Sequence, residues 1–280
     1  MILVTGITGQ LGYDVAKELE RRGEDFIGTT RKDFDLSNPE SAKSFIIEKK
    51  PSAVIHCAAY TAVDKAESEA ELALTVNGLS TRKIAEGCRE VGAKMLYVST
   101  DYVFGGDGDT PYEISDEKAP QNIYGKSKLL GEDSVIALLR EYFVVRISWV
   151  FGSNGKNFVK TMLNFDKRRK KISVVDDQIG SPTYTADVAP LLVDMIKSDK
   201  YGIYHATNEG FCSWAEFAEE IFKQSGREIT VEKIPTSDYP TPAKRPFNSR
   251  LSKKTLDAAG FNRLPSWQDA VTRFISGIVG

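Results

Sequence analysis

The sequence predicts an α/β protein: a Rossmann-type, doubly wound parallel sheet with a smaller C-terminal α/β substrate lobe. Three observations carry that expectation. Short apolar runs alternate with helical patterns over about the first 150 residues, the signature of parallel strands joined by crossover helices. Gly6, Gly9 and Gly12 stand between the first apolar run and the first helical pattern. Tyr124 and Lys128 lie four apart in a later helical pattern and so share one helix face.

Ile2 to Thr5 reads as a fully buried strand, followed by Gly6-Ile7-Thr8-Gly9-Gln10-Leu11-Gly12 and a helix through Val15 and Leu19. Strand, glycines, helix is the context of a dinucleotide loop, in which backbone approaches the pyrophosphate and a helix N-terminus faces the anion. The spacing is G-x-x-G-x-x-G, which departs from G-x-G-x-x-G at the first glycine. Phe26 to Arg31 is the expected second strand. An acid at its end suits the 2′-hydroxyl of NAD, an arginine the 2′-phosphate of NADP. Thr29, Thr30 and Arg31 occupy that place and the first acid is Asp33. NADP(H) is therefore favoured, with NAD(H) as the alternative.

Asn38-Pro39 starts a helix over 39–49, and Ala53 to Ala59 is the third strand. Ala58 and Ala59 are small enough to let a cofactor come close. His56, inside the strand, reads as a satisfied core histidine. Tyr60 to Glu67 is a loop leading to a long helix over about 67–90, in which Asn77 is a polar residue of open role. Lys94 to Thr100 is the fourth strand and delivers Ser99, Thr100 and Asp101 to the carboxyl edge of the sheet, where open α/β folds bind ligands. The Gly-, Asp- and Pro-rich 104–120 stretch reads as a functional loop, and Phe143 to Ser148 as the next strand, ending at Trp149.

The second half reads as a helix over 157–168, a strand from Ile172 to Val175, a turn-rich loop from Asp176 to Thr183, and a helix from Val188 to Ile196. Gly202 to Ala206 is a strand holding His205, again structural. Ser213 and Glu216 form a capping box, Pro235 to Arg250 is a loop, and Ser266 with Asp269 opens the last helix. The expected division is 1–150 for the dinucleotide-binding domain and 151–280 for the substrate lobe, with part of 183–205 returning to the first sheet.

The chain has 280 residues, 41% hydrophobic and 27% charged, with net charge −2, which fits a soluble globular protein and gives no basic field for nucleic acid. The densest cationic run, Lys167 to Lys171, closes a helical pattern, where cations suit the negative end of the dipole. Cys57, Cys88 and Cys212 are odd in number and scattered, so no disulfide framework is expected. No apolar run reaches the roughly 18 residues of a membrane span. With no signal-like opening, a cytoplasmic protein is expected.

A Tyr–Lys helical pair is chemically useful because a nearby ammonium lowers the phenol pKa, which is otherwise about 10. Taken together, Gly6-x-x-Gly9-x-x-Gly12, Ser99-Thr100-Asp101-Tyr102-Val103-Phe104 and Tyr124-Gly-Lys-Ser-Lys128 resemble an extended short-chain dehydrogenase/reductase. Within that superfamily, three blocks are similar to the dTDP-4-dehydrorhamnose reductase family: Ala59 to Glu67, Arg146 to Gly152 and Asp177 to Thr183.

The resemblance implies reduction of the C4 ketone of a dTDP-linked 4-keto-6-deoxy sugar, dTDP-4-dehydro-6-deoxy-L-mannose, to dTDP-L-rhamnose for polysaccharide synthesis. It implies that Tyr124 is the general acid, that Lys128 lowers the Tyr124 pKa and holds the nicotinamide ribose, and that Thr100 hydrogen-bonds the reacting oxygen. Gly6, Thr8, Gly9, Gln10, Leu11, Gly12, Arg31, Asp35, Leu36, Ala58, Ala59, Tyr60 and Thr61 would hold the cofactor. Val63, Asp101, Tyr102 and Trp149 would border the sugar, and Lys244 and Arg245 would meet a diphosphate.

Some bacterial members of the family dimerise through a divalent ion at acids near the first helix. Asp14 stands near that place without a set of partners, so no metal residue is assigned, Mg2+ stays open, and the state is monomer or homodimer. Two other functions stay open: a reductase of another 4-keto nucleotide sugar, and a non-catalytic NADP-binding regulatory subunit like methionine adenosyltransferase β.

Cofactor choice is tested by Arg31→Ala. It should weaken NADPH binding more than NADH binding; equal effects in a fluorescence titration would remove the argument for NADP.

Overall fold

The computed structural model describes residues 1–166 and 170–279. Its centre is a six-stranded sheet built from β1 (Ile2–Thr5), β2 (Phe26–Thr29), β3 (Ala53–His56), β4 (Lys94–Thr100), β5 (Tyr142–Ile147) and the strand Gly202–His205. From one edge the order is Gly202–His205, β5, β4, β3, β1, β2. Every pairing is parallel. The chain leaves β1 for β2 on one side and returns to β3 on the other. The crevice at the carboxyl ends of β1 and β3 is therefore a topological switch point, where such sheets take ligands.

Strands buried on both faces need apolar residues throughout, and alternate residues serve opposite layers. Ile2 and Val4 of β1 join one core with Val15 and Leu19 of helix α1 (Gln10–Arg21) and with Val188 and Leu192 of the helix Thr185–Lys197. Leu3 points the other way, into a core with Ile46 of α2 (Pro39–Lys49), Ile84, and Val135. A third core holds the second half together around Phe151, Phe217, Trp267 and Phe274. Small strand pairs knit this lobe, among them Lys171–Val175 with Thr230–Ile234 and Ile179–Gly180 with Cys212–Ser213.

Several expected bounds shift. The second and third strands stop at Thr29 and His56, the residues paired with Thr5, where β1 between them ends. The helix expected over 67–90 is three successive pieces, α4 (Ala70–Leu74), a π-turn Thr75–Leu79 and α5 (Ser80–Val91), with a short helix α3 (Val63–Ala66) before them. The π-turn carries Asn77, which is buried. The helix expected over 157–168 is Phe158–Leu163, and Lys167, Arg168 and Arg169 of the basic run lie outside the described residues. Strand Thr230–Ile234 and helix Lys254–Ala258 were not expected. The capping box at Ser213 and Glu216 is formed. No helix among the described residues is long and apolar enough to cross a membrane. All three cysteines are free.

Helix α6 (Ile123–Leu138) carries Tyr124 and Lys128 and is fixed to the sheet by a buried ion pair. Glu132 and Arg146 are both 0% exposed. Arg146 Nε donates to Glu132 Oε1 at 2.9 Å and Nη2 donates to Oε2 at 2.7 Å. Its Nη1 reaches the Ile114 carbonyl at 3.4 Å and His205 Nε2 at 3.3 Å, and the guanidinium covers the Phe104 ring. Removing one partner strands the other charge in the core, which costs about 3–5 kcal/mol. Glu132→Ala should therefore lower unfolding free energy by about that amount in urea denaturation; a loss under about 1 kcal/mol would show that Arg146 finds water or another acceptor.

Candidate active site

The glycine loop is shaped by contacts no side chain would tolerate. Gly6 has φ +72°, and a Cβ there would lie 2.9 Å from Ala58 Cα. A Cβ on Gly12 would lie 2.3 Å from the Gly6 carbonyl oxygen. Gly9 caps α1 with extended backbone and no side-chain acceptor, which leaves the first-turn N–H groups to an anion. Loop and helix end thus fit a dinucleotide pyrophosphate. Asn154 Nδ2 donates to the Thr8 carbonyl at 2.8 Å, and Asn157 Nδ2 donates to Gln10 Oε1 at 3.0 Å. These two asparagines of the second half brace the loop, and nothing in the sequence pattern marks them.

Beyond β2, Arg31 is exposed. Asp33 accepts from Thr30 N at 2.7 Å and Thr30 Oγ1 at 3.0 Å, which hold its carboxyl below the usual range. Asp35 accepts from the Ser37 backbone and hydroxyl, with the same consequence. Both acids are committed to their own turns. The Leu36 carbonyl accepts from Ser80 Oγ, which pins the loop after Asp35 to α5.

The loop after β3, Ala58 to Thr61, is held by Asn77. Its Oδ1 accepts from Tyr60 N at 2.8 Å, and its Nδ2 donates to Tyr60 O at 3.0 Å and to Ser127 Oγ at 2.9 Å. The signal in the sequence was only a polar residue among apolar ones. His56 is structural, as expected. Its Nδ1 lies 2.7 Å from Thr5 Oγ1 and its Nε2 lies 3.2 Å from Thr81 Oγ1, and Thr81 in turn donates to the Asn77 carbonyl. Because that donation uses the Thr81 proton, the ring proton belongs on Nε2. Burial drives the His56 pKa down to about 3, so the ring stays neutral. His205 sits between Arg146 and the Ser252 carbonyl and is likewise neutral.

Asn122 caps α6 through its side chain, accepting from Gly125 N at 2.8 Å, and starts the helix so that Tyr124 faces Thr100. Burial, then the Asp101 carboxylate, pushes the Tyr124 phenol above its ordinary range against the pull of the Thr100 hydroxyl. Lys128 is buried and donates to the Val98 carbonyl at 2.7 Å, with Nζ 4.0 Å above the Tyr97 ring. Burial brings its pKa down to about 7, opposed by Glu132 one turn on. The ammonium is anchored to β4, and the upward shift of the phenol follows burial first and then Asp101.

Thr100 Oγ1 donates to Asp101 Oδ1 at 3.0 Å and accepts from Tyr102 N at 3.3 Å. Burial raises the Asp101 carboxyl to about 6, against the hydroxyls of Ser249 and Thr100. Tyr102 meets Tyr124 edge-on at 5.6 Å. Its hydroxyl accepts from Arg245 Nη1 at 3.1 Å, and Arg245 Nη2 pairs with Asp64 Oδ2 at 2.6 Å. Val63 opens α3 just before Asp64. The Arg245 guanidinium, expected at a diphosphate, is held here by the Tyr102 and Asp64 side chains. Lys244 contributes its carbonyl to Asn122 Nδ2 at 2.9 Å. The strand end at Trp149 lies two residues past Ile147, which pairs with Thr100. Asp14 turns inward and hydrogen-bonds Thr185 Oγ1, and burial raises its pKa. Among the described residues no group of three or more His, Cys, Asp or Glu stands together to hold a metal.

The structure therefore gathers Thr100, Asp101, Tyr102, Tyr124 and Lys128 at one sheet edge. The glycine loop lies across the switch point from them. A family model for the RmlD substrate binding domain matches residues 1–279. Spore coat polysaccharide biosynthesis protein SpsK of Bacillus subtilis is 38% identical, over 98% of this chain and 96% of its own length. The dTDP-4-dehydrorhamnose reductase of Escherichia coli is 37% identical, over 98% and 97%. The crystal structure of dTDP-4-dehydrorhamnose reductase from Bacillus anthracis in complex with NADP is 42% identical, with TM-score 0.95 over 99% of this chain and 98% of that one. UDP-glucose 4-epimerase from Thermus thermophilus, at 20% identity and TM-score 0.85, shares the fold.

Proposed function

This chain belongs to the RmlD substrate-binding-domain family of dTDP-4-dehydrorhamnose reductases, and we propose that it reduces the C4 ketone of dTDP-4-dehydro-6-deoxy-L-mannose to dTDP-L-rhamnose. The observation that carries this reading is the meeting of the Thr100 hydroxyl and the Tyr124 phenol at the carboxyl edge of β4, with Lys128 one turn along α6. The name of the Bacillus anthracis relative supports NADPH as the reductant, and Arg31 suits its 2′-phosphate.

When bound, the reduced nicotinamide supplies a hydride to C4; everything else falls to this chain. The oxygen of the ketone gains negative charge as the reaction proceeds, and hydrogen-bond donors aimed at it lower the barrier. Tyr124, neutral at every relevant pH, gives that oxygen its proton. The Lys128 ammonium has three donors, of which one is on Val98 O, and the others would meet the nicotinamide ribose. Its charge offsets the phenolate left on Tyr124. Gly6, Gly9, Gly12, Ala58, Ala59, Tyr60 and Thr61 would line the dinucleotide. Val63, Tyr102 and Trp149 would line the sugar.

Thr100 can aim its proton at the ketone oxygen only when Asp101 does not claim it. The ionised carboxylate takes that proton; the neutral acid can donate to Thr100 Oγ1 instead and free the hydroxyl. Asp101 is neutral below about 6, so donation by Thr100 is favoured on the acid side and lost as pH rises. Lys128 adds a second fall above about 7, where its charge is lost.

The reading is tested by NADPH oxidation with dTDP-4-dehydrorhamnose against UDP- and GDP-linked 4-keto sugars. Net stoichiometric consumption identifies a reductase; absence of turnover on every sugar would favour the regulatory role. Tyr124→Phe should retain NADPH binding and lose most of kcat, roughly the 10²- to 10⁴-fold supplied by a positioned acid; near wild-type rates would remove Tyr124 from the mechanism. In a kcat–pH profile, Asp101→Asn should abolish the fall near 6 while keeping the one near 7. A profile identical to wild type would show that Asp101 does not control the hydroxyl.

A further inference from the structure

Trp149 has φ +48°, a left-handed conformation that a bulky side chain rarely adopts. Such a conformation persists only when its surroundings over-determine it. On the backbone side, Thr183 N donates to Trp149 O at 3.2 Å and Thr183 Oγ1 donates to the neighbouring Ser148 O at 2.6 Å. Ser148 Oγ donates back to Ser181 O at 2.7 Å. The strand end and the 181–183 loop are thus locked together.

The indole is held as tightly as the backbone. One face stacks on Trp214, with ring centroids 3.8 Å apart and planes 14° from parallel. Its Nε1–Cζ2 edge lies over Gly180: a Cβ there would come within 2.7 Å of Cε2, 2.9 Å of Cζ2 and 3.0 Å of Nε1. Gly180 pairs with Cys212 across a two-stranded ribbon, and Trp214 comes directly after the ribbon's Cys212–Ser213 strand. Trp214 is itself set by the capping box, in which Ser213 Oγ accepts from Glu216 N at 3.0 Å and Ser213 N donates to Glu216 Oε2 at 2.8 Å. Phe158, at 4.8 Å, supports it from behind.

We propose that Trp214 is a positioning residue for the sugar site, clamping the Trp149 indole against the space that Gly180 leaves. The inference rests on the reading that Trp149 lines that site. A wall fixed before the sugar arrives avoids the cost of ordering a large ring on binding, so the clamp acts on affinity for the sugar. The glycine loop is braced by Asn154 and Asn157, not by the indole pair, so the clamp bears on the sugar side.

Two stacked indoles couple their transitions and give a paired positive and negative band in far-ultraviolet circular dichroism, readable on protein without ligand. Trp214→Ala and Trp149→Ala should each abolish it. Trp214→Ala should raise KM for the 4-keto sugar about tenfold, the upper range for an aromatic pair, with KM for NADPH within about twofold of wild type. Trp214→Phe should restore most of that loss. Gly180→Ala leaves Trp214 in place but drives a methyl into the Trp149 edge, so it should alter the paired band and raise the same KM.

Loss of the band in Trp214→Ala with an unchanged sugar KM would overturn the proposal, as would equal rises for sugar and NADPH. A wild-type protein that shows the band yet reduces no 4-keto sugar would overturn the functional reading, and the sugar-site role with it.

Discussion

The buried Glu132–Arg146 pair is the constraint on which the site depends. Two opposite charges leave water completely, so the pair is stable only where every donor and acceptor finds a partner. Arg146 meets that demand by gathering α6, the 104–120 loop and the outermost strand around one guanidinium. Helix α6 can then sit in one position. Tyr124, Lys128 and Glu132 follow one another at four-residue steps along its inner face, so fixing Glu132 fixes the register of the two residues above it.

That placement has an electrical consequence. Burying the α6 face desolvates Lys128 and lowers its pKa, and Glu132 partly restores it. The result is a lysine that titrates near neutrality, attached by one hydrogen bond to the strand that carries Thr100. Beside Thr100, Asp101 is raised by burial in the opposite sense. The two shifts bring an ammonium and a carboxyl, ordinarily more than six units apart, to within about one of each other. The Thr100 hydroxyl, which donates to Asp101 Oδ1, then has its direction set by the protonation of that carboxyl.

The second half of the chain works through clamps and struts. Asn154 and Asn157 support the glycine loop, Arg245 ties Tyr102 to Asp64, and Trp214 with Gly180 holds Trp149. Each contact joins residues far apart in the chain. Together they make the second half of the chain part of the candidate site's frame.

The sequence by itself determined the parallel sheet, the glycine loop and the Tyr124–Lys128 face. Each depends on local pattern or on steric demands between near neighbours: the unbroken burial of β1, strand–glycine–helix order, and the turn of a helix. The resemblance added the substrate class through the Ala59–Glu67 and Asp177–Thr183 blocks. Tertiary structure alone decided what the buried polar groups do. Asn77 proved to be the anchor of the Tyr60 loop, Lys128 proved to be hydrogen-bonded to Val98 on β4, and Arg245 proved to be engaged with Asp64 and Tyr102. The physical reason is that a pKa or a hydrogen bond belongs to a pair of groups and to the water excluded around them. Neither the partner nor the exclusion is written at the residue's own position in the chain.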